Sequence, residues 1–152
     1  MFYTVDYDWV FANERYEPAY HIKHAYSTDG INWIKTDKVI LPADYAKEEC
    51  VARPTVIKTG NKYHMWFSYR SSHDFRDGKG TYRIGYAWSE DFFTWKREDE
   101  KAGIFTSEKG GWDSTMITYP FILKVEGKYL MFYNGNTFGK YGFGYAVLNP
   151  DG

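Results

Sequence analysis

The sequence is poor in cysteine, in long apolar runs and in excess charge of either sign. Cys50 is the single cysteine, so no disulfide forms within the chain, and a lone thiol is typical of a reducing compartment. We therefore expect a cytoplasmic location. Lysine and arginine number 19 against 20 aspartate and glutamate residues, which gives a formal net charge of −1. This balance does not attract nucleic acid or anionic lipid, and no segment reaches the ~20 apolar residues of a membrane span. We predict neither nucleic acid nor membrane as a partner.

Patterns for metal and cofactor chemistry are also missing. The four histidines are scattered along the chain, without the close spacing that metal ligands have. The sequence has no glycine-rich loop of the phosphate-binding kind and no serine in a nucleophile elbow. We expect no metal and no cofactor.

Aromatic residues are abundant, at 21% of the chain, and they recur at a fixed period. The segment RPTVIKTGNKYHMWFS, which begins at Arg53, is repeated as YPFILKVEGKYLMFYN, which begins at Tyr119. Pro54 and Pro120 are 66 residues apart (120 − 54), and this offset holds to the end of both segments. A repeat of short aromatic and β-branched runs indicates a series of small antiparallel sheets.

A second pair of segments extends the repeat. HAYSTDGINW, beginning at His24, is similar to YAWSEDFFTW, beginning at Tyr86, and a shorter FGYA begins at Phe143. MFYT at the start of the sequence matches MWFS and MFYN, which end the two longer segments. The pattern predicts one all-β domain of about ten strands, in about two and a half four-stranded antiparallel units of a β-propeller. The predicted units are 1–47 (incomplete), 48–111 (complete) and 112–152 (lacking its outer strand).

The repeat also predicts several local features. Residues 5–17 are predicted to be a long polar and aromatic connection rather than a strand. Pro54 is expected at a bulge or an edge, because proline cannot donate a hydrogen bond to a strand ladder. Trp33 and Trp95 occupy the same repeat position, and we expect both in the core.

Three segments carry a family resemblance that extends from Tyr16 to Ala146: ARPTVIKTGNKYHMWFSYR, YRIGYAWSEDFFTW and GWDSTMITYPFILKVEGKYLMFYNGN. They resemble the C-terminal half of the five-bladed β-propeller glycosidase-like proteins related to glycoside hydrolase families 43, 32 and 130. The resemblance implies a partial five-bladed propeller that binds carbohydrate or acts on it by acid/base chemistry. The better-known members have an Arg-Asp-Pro pattern, which neither Arg53-Pro54 nor Tyr119-Pro120 keeps, and the aspartate near the beginning of those propellers has no counterpart here. We therefore expect a truncated, inactive fragment.

An alternative interpretation is a non-catalytic module that binds carbohydrate or assembles with another chain. Unpaired strand edges recruit further strands, so the exposed edges of a partial propeller favour association between copies of the chain. A pair of carboxylates that face one cavity would favour the glycosidase, and their absence would favour the module.

Two carboxylates are candidates for the acid and base. Glycoside cleavage requires two carboxyl groups ~5 to 9 Å apart. In propellers the innermost strands line the ligand channel, and these strands are predicted at 49–56 and 115–122. Glu49 lies at the start of the first and Asp113 just before the second, with Glu48 as a further candidate. The alternative is that these carboxylates belong to solvated loops.

Other residues near the ends of the predicted strands are candidates for substrate binding. Aromatic rings stack on the C–H faces of sugars, and arginine and asparagine donate to hydroxyl groups. The candidates are Arg53, Arg70, Trp112, Tyr119, Asn134 and Asn136. The alternatives are interior packing for the tryptophan, a structural ion pair for Arg53, a surface role for Arg70 and loop capping for the asparagines. Glu14, Arg15 and Glu17 are further charged candidates.

Overall fold

A computed structural model describes residues 1–76 and 80–148, which form three small antiparallel sheets. We call them sheets A, B and C in chain order. The predicted all-β class is confirmed. Residues 77–79 of the predicted second unit and 149–152 of the predicted last unit lie outside the described residues. In the described part of the chain, no helix is long and apolar enough to cross a membrane.

Sheet A is a three-stranded meander. Its strands, in spatial order, are β1 (Phe2–Ala12), β2 (Arg15–Tyr26) and β3 (Ile34–Leu41). The prediction of a connection over 5–17 is wrong, because this segment forms most of a long hairpin that turns at Asn13 and Glu14. These two residues have φ angles of 52° and 64°, a conformation that asparagine tolerates better than most residues. Acidic residues between the aromatic ones in β1 concealed the strand pattern.

Sheet B has the four strands that the complete repeat unit predicts. They are β4 (Glu49–Thr59), β5 (Lys62–Ser71), β6 (Arg83–Ser89) and β7 (Lys96–Arg97). The register of β4 against β5 shifts between Ala52 and Thr55. Pro54 therefore lies in a bulge, as predicted from its missing N–H group.

Sheet C has three strands. They are β8 (Thr118–Val125), β9 (Lys128–Asn134) and β10 (Phe143–Leu148), with β9 in the centre. The register of β8 against β9 shifts between Thr118 and Phe121, at the repeat position of the bulge in β4. A short helical turn, α1 (Asn136–Gly139), connects β9 to β10.

Two equivalent turns follow β2 and β6. The Asp29 Oδ1 atom accepts hydrogen bonds from the N–H groups of Ile31 and Asn32, both at 2.8 Å. The Asp91 Oδ1 atom accepts from Phe93 and Thr94 at 2.8 and 2.6 Å. The backbone hydrogen bonds lower the pKa of each aspartate. Gly30 and Phe92 occupy the same turn position with φ angles of 74° and 72°, so the second turn keeps the left-handed conformation without a glycine.

Two clusters of buried side chains lie on opposite faces of sheet B. Sheets A and B meet through a cluster of fully or nearly fully buried side chains: Ile22, Ile40, Leu41, Val51, Met65, Phe67 and Ala87. Sheets B and C meet through a second cluster: Trp66, Ile84, Tyr86, Ile117, Ile122, Met131 and Tyr133. Sheet B is thus covered on both faces, and β4 and β8 contact each other at the centre of the structure.

Trp33 is not in the core, contrary to the prediction from its repeat position. Its side chain is 43% exposed, whereas Trp95 packs edge-on against Phe2 of sheet A, with a centroid distance of 5.6 Å. The difference arises because sheet A covers the equivalent position in sheet B. In the described residues no preceding sheet covers Trp33.

Candidate functional site

The two bulged strands β4 and β8 hold equivalent residues in an unusual backbone conformation. Arg53 and Tyr119 have φ angles of 54° and 58°, in the left-handed region that bulky side chains rarely adopt. Each residue precedes a proline, which normally favours extended backbone. Strain of this kind concentrates at functional sites, and a bulge redirects a side chain. We therefore take the paired bulges as the centre of the candidate site.

The bulges bring the two side chains together. The guanidinium carbon of Arg53 lies 5.3 Å from the centroid of the Tyr119 ring, within the range of a cation–π contact. The side chain of Arg53 is exposed and that of Tyr119 is half-buried. This contact joins two of the predicted binding residues in a surface that solvent reaches.

The neighbouring sheet binds the backbone N–H group at each bulge. The N–H of Arg53 donates to Thr4 Oγ1 at 3.2 Å, and the N–H of Tyr119 donates to Ser68 Oγ at 2.8 Å. Thr4 and Ser68 end the equivalent segments MFYT and MWFS. The same joint thus holds sheet A to sheet B and sheet B to sheet C.

Arg70 lies behind this surface rather than on it. Its side chain is almost completely buried, and its Nε–H donates to the hydroxyl of Tyr82 at 3.0 Å. Its guanidinium carbon lies 3.8 Å from the Phe75 ring centroid. The Tyr82 ring lies 5.9 Å from that of Tyr119, and burial raises the pKa of Tyr82 to about 12. Arg70 therefore supports the Tyr119 ring through a neutral tyrosine.

Glu49 forms ion pairs at the start of β4. Its carboxylate accepts hydrogen bonds from the Arg97 guanidinium at 2.7 and 2.8 Å and from the N–H of Asp44 at 2.8 Å. Arg97 also donates to Asp99 at 2.7 Å. Burial alone would lower the pKa of Arg97, but the hydrogen bonds to the two carboxylates outweigh it and raise the pKa. The Glu49 carboxylate thus has a permanent cation as its partner.

Asp113 is buried in a second, separate network. Its Oδ2 atom accepts a hydrogen bond from the hydroxyl of Tyr133 at 2.8 Å. Burial, with the hydrogen bond to Asp113, raises the pKa of Tyr133 to about 12. The two catalytic candidates therefore differ in partner: Glu49 is bound by a guanidinium and Asp113 by a neutral phenol.

Trp112 covers Tyr133 with one face and reaches solvent with another. The two rings are stacked with a centroid distance of 5.2 Å, and Trp112 is 42% exposed. Its ring approaches the backbone so closely that a Cβ atom at Gly135 or Gly144 would lie 2.4 or 2.5 Å from it. These two glycines allow the indole to lie flat against sheet C.

The two asparagines after β9 have different roles. Asn136 Oδ1 accepts hydrogen bonds from Thr115 N–H and Met116 N–H at 2.8 and 3.1 Å, and its Nδ2 donates to Gly111 at 3.0 Å. Asn136 therefore ties together the loop before β8. Asn134 has only a long contact of 3.5 Å from Nδ2 to the carbonyl of Phe138 among the described residues.

A polar cavity of about 230 Å³ lies between the turn after β1 and the loop after β5. Its lining residues are Asn13, Arg15, Glu17, Ser72, His73, Asp74, Phe75 and Arg76. Glu17 is 5% exposed and accepts two hydrogen bonds from Arg76, at 2.9 and 3.1 Å. The hydrogen bonds from Arg76 are the main reason that the pKa of Glu17 is lowered. Sequence reasoning named Arg15 and Glu17 as candidates, but not the arginine that pairs with the glutamate from 59 residues away.

No metal centre accompanies these groups within residues 1–76 and 80–148, where no set of three or more His, Cys, Asp or Glu side chains is placed to hold an ion. Of the candidates, the structure brings Arg53 and Tyr119 into contact and places Arg70 behind them. Sequence reasoning missed Tyr82 and Arg97, which hold the candidates in place. Their only sequence signal is a position at the start or end of a predicted strand.

A family profile and two relatives match most of this chain in sequence. Residues 10–142 match the profile of the beta-1,4-mannooligosaccharide phosphorylase family. An uncharacterised protein of Mycobacterium tuberculosis (strain ATCC 25618 / H37Rv) is 37% identical over 127 residues, which are 84% of this chain and 40% of that protein. The beta-1,2-mannobiose phosphorylase of Thermoanaerobacter sp. (strain X514) is 30% identical over 127 residues, which are 79% of this chain and 36% of the enzyme.

Solved structures share the fold at lower sequence identity. A glycoside hydrolase superposes with a TM-score of 0.68 and 19% identity, over 98% of this chain and 40% of that one. Zg3597, a family 117 glycoside hydrolase of Zobellia galactanivorans, superposes with a TM-score of 0.68 and 19% identity, over 84% and 37%. In the sequence comparison, the chain spans about 40% of the length of the mycobacterial relatives.

Proposed function

The chain belongs to the beta-1,4-mannooligosaccharide phosphorylase family of glycoside hydrolase-like proteins, and from this we propose that it binds a β-linked mannose oligosaccharide at the paired bulges of β4 and β8. The observation that carries the proposal is the contact of Arg53 with Tyr119, 5.3 Å from guanidinium carbon to ring centroid. Two strained backbone positions hold these side chains together, and the arginine is exposed to solvent.

The chemistry of the pair suits a neutral sugar. A tyrosine ring offers an apolar face to the C–H side of a pyranose, and a guanidinium offers fixed donors to its hydroxyl groups. Arg53 is exposed, whereas the donors of Arg70 are already engaged by Tyr82, Ser71 and Pro18. On this proposal Arg53 contacts the ligand directly, while Arg70 positions the aromatic surface.

We also propose that the three sheets are consecutive blades of a propeller and that this chain alone binds without cleaving. Cleavage requires two carboxyl groups across the scissile bond. Glu49 is bound by Arg97 and Asp113 by Tyr133, so neither is a free acid or base as it stands. The chain corresponds to about 40% of its relatives, which leaves room for a further carboxylate in a complete protein.

The test is calorimetric titration of the chain with β-1,4-mannotriose and β-1,2-mannobiose, with cellotriose as a control sugar. We expect a mannoside to bind with a dissociation constant at or below about 1 mM, and Arg53→Ala and Tyr119→Ala to weaken it at least about tenfold. Lys58→Ala is the matched control, because Lys58 is an exposed cation of the same strand that lies 4.9 Å from the Tyr63 ring.

Two results would contradict the proposal. One is the absence of mannoside binding up to about 10 mM, and the other is an equal loss of affinity in Arg53→Ala and Lys58→Ala. Cleavage is tested separately by incubating the chain with a mannoside, with and without inorganic phosphate. Release of mannose or of a mannose phosphate would show that the chain is catalytic by itself.

A further inference from the structure

Sheet C has one face against sheet B and one face open. The open face carries six large apolar side chains that are between 39% and 71% exposed. They are Phe121, Leu123, Val125, Phe143, Tyr145 and Val147. Leu130 and Phe132 of the central strand lie between them, because Phe132 pairs with both Phe121 and Tyr145. We call these eight residues the open face of sheet C.

The repeat shows what kind of surface this is. Leu123 and Phe132 correspond, at the offset of 66, to Ile57 and Trp66 of sheet B. In sheet B these residues pack against sheet C. Likewise, the GYA segments place Tyr145 at the position of Tyr86, which is buried in the same layer. The open face is therefore the counterpart of a face that a second sheet covers.

The size of the open face also indicates that a partner buries it. Aromatic side chains present ~150 to 250 Å² each, so the observed exposures leave roughly 600 Å² of apolar surface open. This is at the upper limit of what monomers typically expose in one patch. Two such faces together give about 1,200 Å², which reaches the lower end of stable protein interfaces.

We infer that a second copy of this chain packs its own open face against this one, as a two-fold dimer. A two-fold axis pairs the same patch of both subunits, so the patch has to be self-complementary. The open face meets this condition, because its eight residues are aromatic or aliphatic and its one charged position in the described strands, Lys128, is at its margin. Sheets of this kind pack face to face at about 10 Å.

This arrangement differs from the edge pairing that the sequence predicts. An added strand beside β10 would extend sheet C and leave its aromatic face in water. Face-to-face packing instead buries Phe143 and Tyr145, which are among the most exposed aromatic residues of the chain. Arg53 and Tyr119 are not among the eight residues of the open face, so the dimer and the carbohydrate site are tested by different substitutions.

The test is sedimentation velocity from about 5 to 200 µM, a range that covers ordinary protein dimers. We expect a species of twice the 17.9 kDa chain mass, and Tyr145→Glu should raise the dissociation constant at least about tenfold by burying a charge. Ile31→Glu is the matched control, because Ile31 is 81% exposed in a turn of sheet A. It should change the constant less than about twofold.

A second measurement distinguishes the face from the edge. Phe132→Cys places a thiol on the central strand, where a two-fold axis brings the two copies together, and Cys50 is fully buried. Mild oxidation should link Phe132→Cys into a dimer and leave Ile31→Cys monomeric. A 17.9 kDa species at every concentration, a dimer that Tyr145→Glu leaves unchanged, or equal linking of both cysteine variants would overturn the inference.

Discussion

Arg53 and Tyr119 occupy the same position of a repeat, and yet they contact each other across two strands, with the guanidinium carbon 5.3 Å from the ring centroid. Both have a left-handed backbone and both precede a proline. The contact is thus the product of two equivalent bulges, one in each inner strand, rather than of the usual alternation of side chains along a strand.

The first prediction separates strain from binding at Arg53. Glycine adopts a positive φ without penalty, so Arg53→Gly relieves about 1 to 2 kcal/mol of left-handed strain. It also loses about 1 kcal/mol of cation–π contact and about 1 kcal/mol of chain entropy. We expect the free energy of unfolding in urea to change by less than about 1 kcal/mol, while affinity for the mannoside falls at least about tenfold.

Lys58→Gly is the control for that substitution. Lys58 is exposed, like Arg53, and its ammonium group makes a similar contact with the Tyr63 ring, but its φ is not positive. It has no strain to relieve, so we expect its free energy of unfolding to fall by about 1 to 2 kcal/mol. An equal fall in both variants would show that the left-handed bulge at Arg53 stores no strain.

The second prediction concerns the hydroxyl groups that join the sheets. Ser68 is fully buried and its Oγ accepts the N–H of Tyr119 at 2.8 Å. Ser68→Ala leaves that N–H without a partner, which should lower the free energy of unfolding by about 1 to 3 kcal/mol. Thr4→Ala removes the equivalent acceptor at a more exposed joint and should cost less than about 1 kcal/mol. Chemical denaturation of both variants measures the difference, and an equal cost would contradict it.

The third prediction tests the role of Glu49. Arg97→Met removes the cation between Glu49 and Asp99 and leaves two neighbouring carboxylates at a partly buried site. We expect a loss of about 2 to 3 kcal/mol, less than for a fully buried pair because Arg97 and its partners remain partly exposed. Adding Glu49→Gln should restore at least half of that loss. A double variant no more stable than Arg97→Met alone would show that the two residues are not coupled.

The fourth prediction is a loss of stability on mild acidification. Burial lowers the pKa of His21, His24 and His64 below the ordinary histidine value of about 6.5. Between the folded and unfolded pKa values the unfolded chain binds more protons, so stability falls as the pH drops through about 6.5. Carboxylates with lowered pKa values, such as Glu17, add their loss only below about pH 4.5.

The measurement is the melting temperature between about pH 7.5 and 5. Among residues 1–76 and 80–148, the buried Nδ1 atom of His24 has no hydrogen-bond partner, and its ring lies 5.3 Å from Phe2 and 5.5 Å from Phe92. His24→Phe should therefore reduce the dependence on pH in this interval. A melting temperature that is constant or rises on acidification would contradict the prediction.

The sequence alone was sufficient to predict the strands where the repeat is strong. The hairpins of sheets B and C follow from two segments with the same aromatic and β-branched positions, and Pro54 indicated its bulge because its ring removes a donor. The first hairpin was missed because Asp6 and Asp8 interrupt the apolar pattern of β1. Trp33 was misplaced because burial depends on a neighbouring sheet, which a repeat position does not specify.

The candidate site was harder to predict than the fold. Arg53 and Tyr119 were both named, but their contact depends on backbone angles that only the packed sheets impose. Glu49 and Arg97 are 48 residues apart, and opposite charges at such a separation give no sequence signal for pairing. Only the three-dimensional packing therefore shows whether a carboxylate is free or paired with a cation.

The hydrogen bond between sheets has a consequence for how such a protein grows in evolution. Each sheet after the first carries a donor on its inner strand, at Arg53 or Tyr119, and Ser68 of sheet B also supplies the acceptor for the next sheet. Asn134, with an amide oxygen, occupies the acceptor position in sheet C. Sheets B and C therefore each carry a donor for the preceding sheet and an acceptor group for a following one. Tandem duplication of one sheet in the gene lengthens the array without a new joint, so the number of sheets is free to change while the connection stays the same.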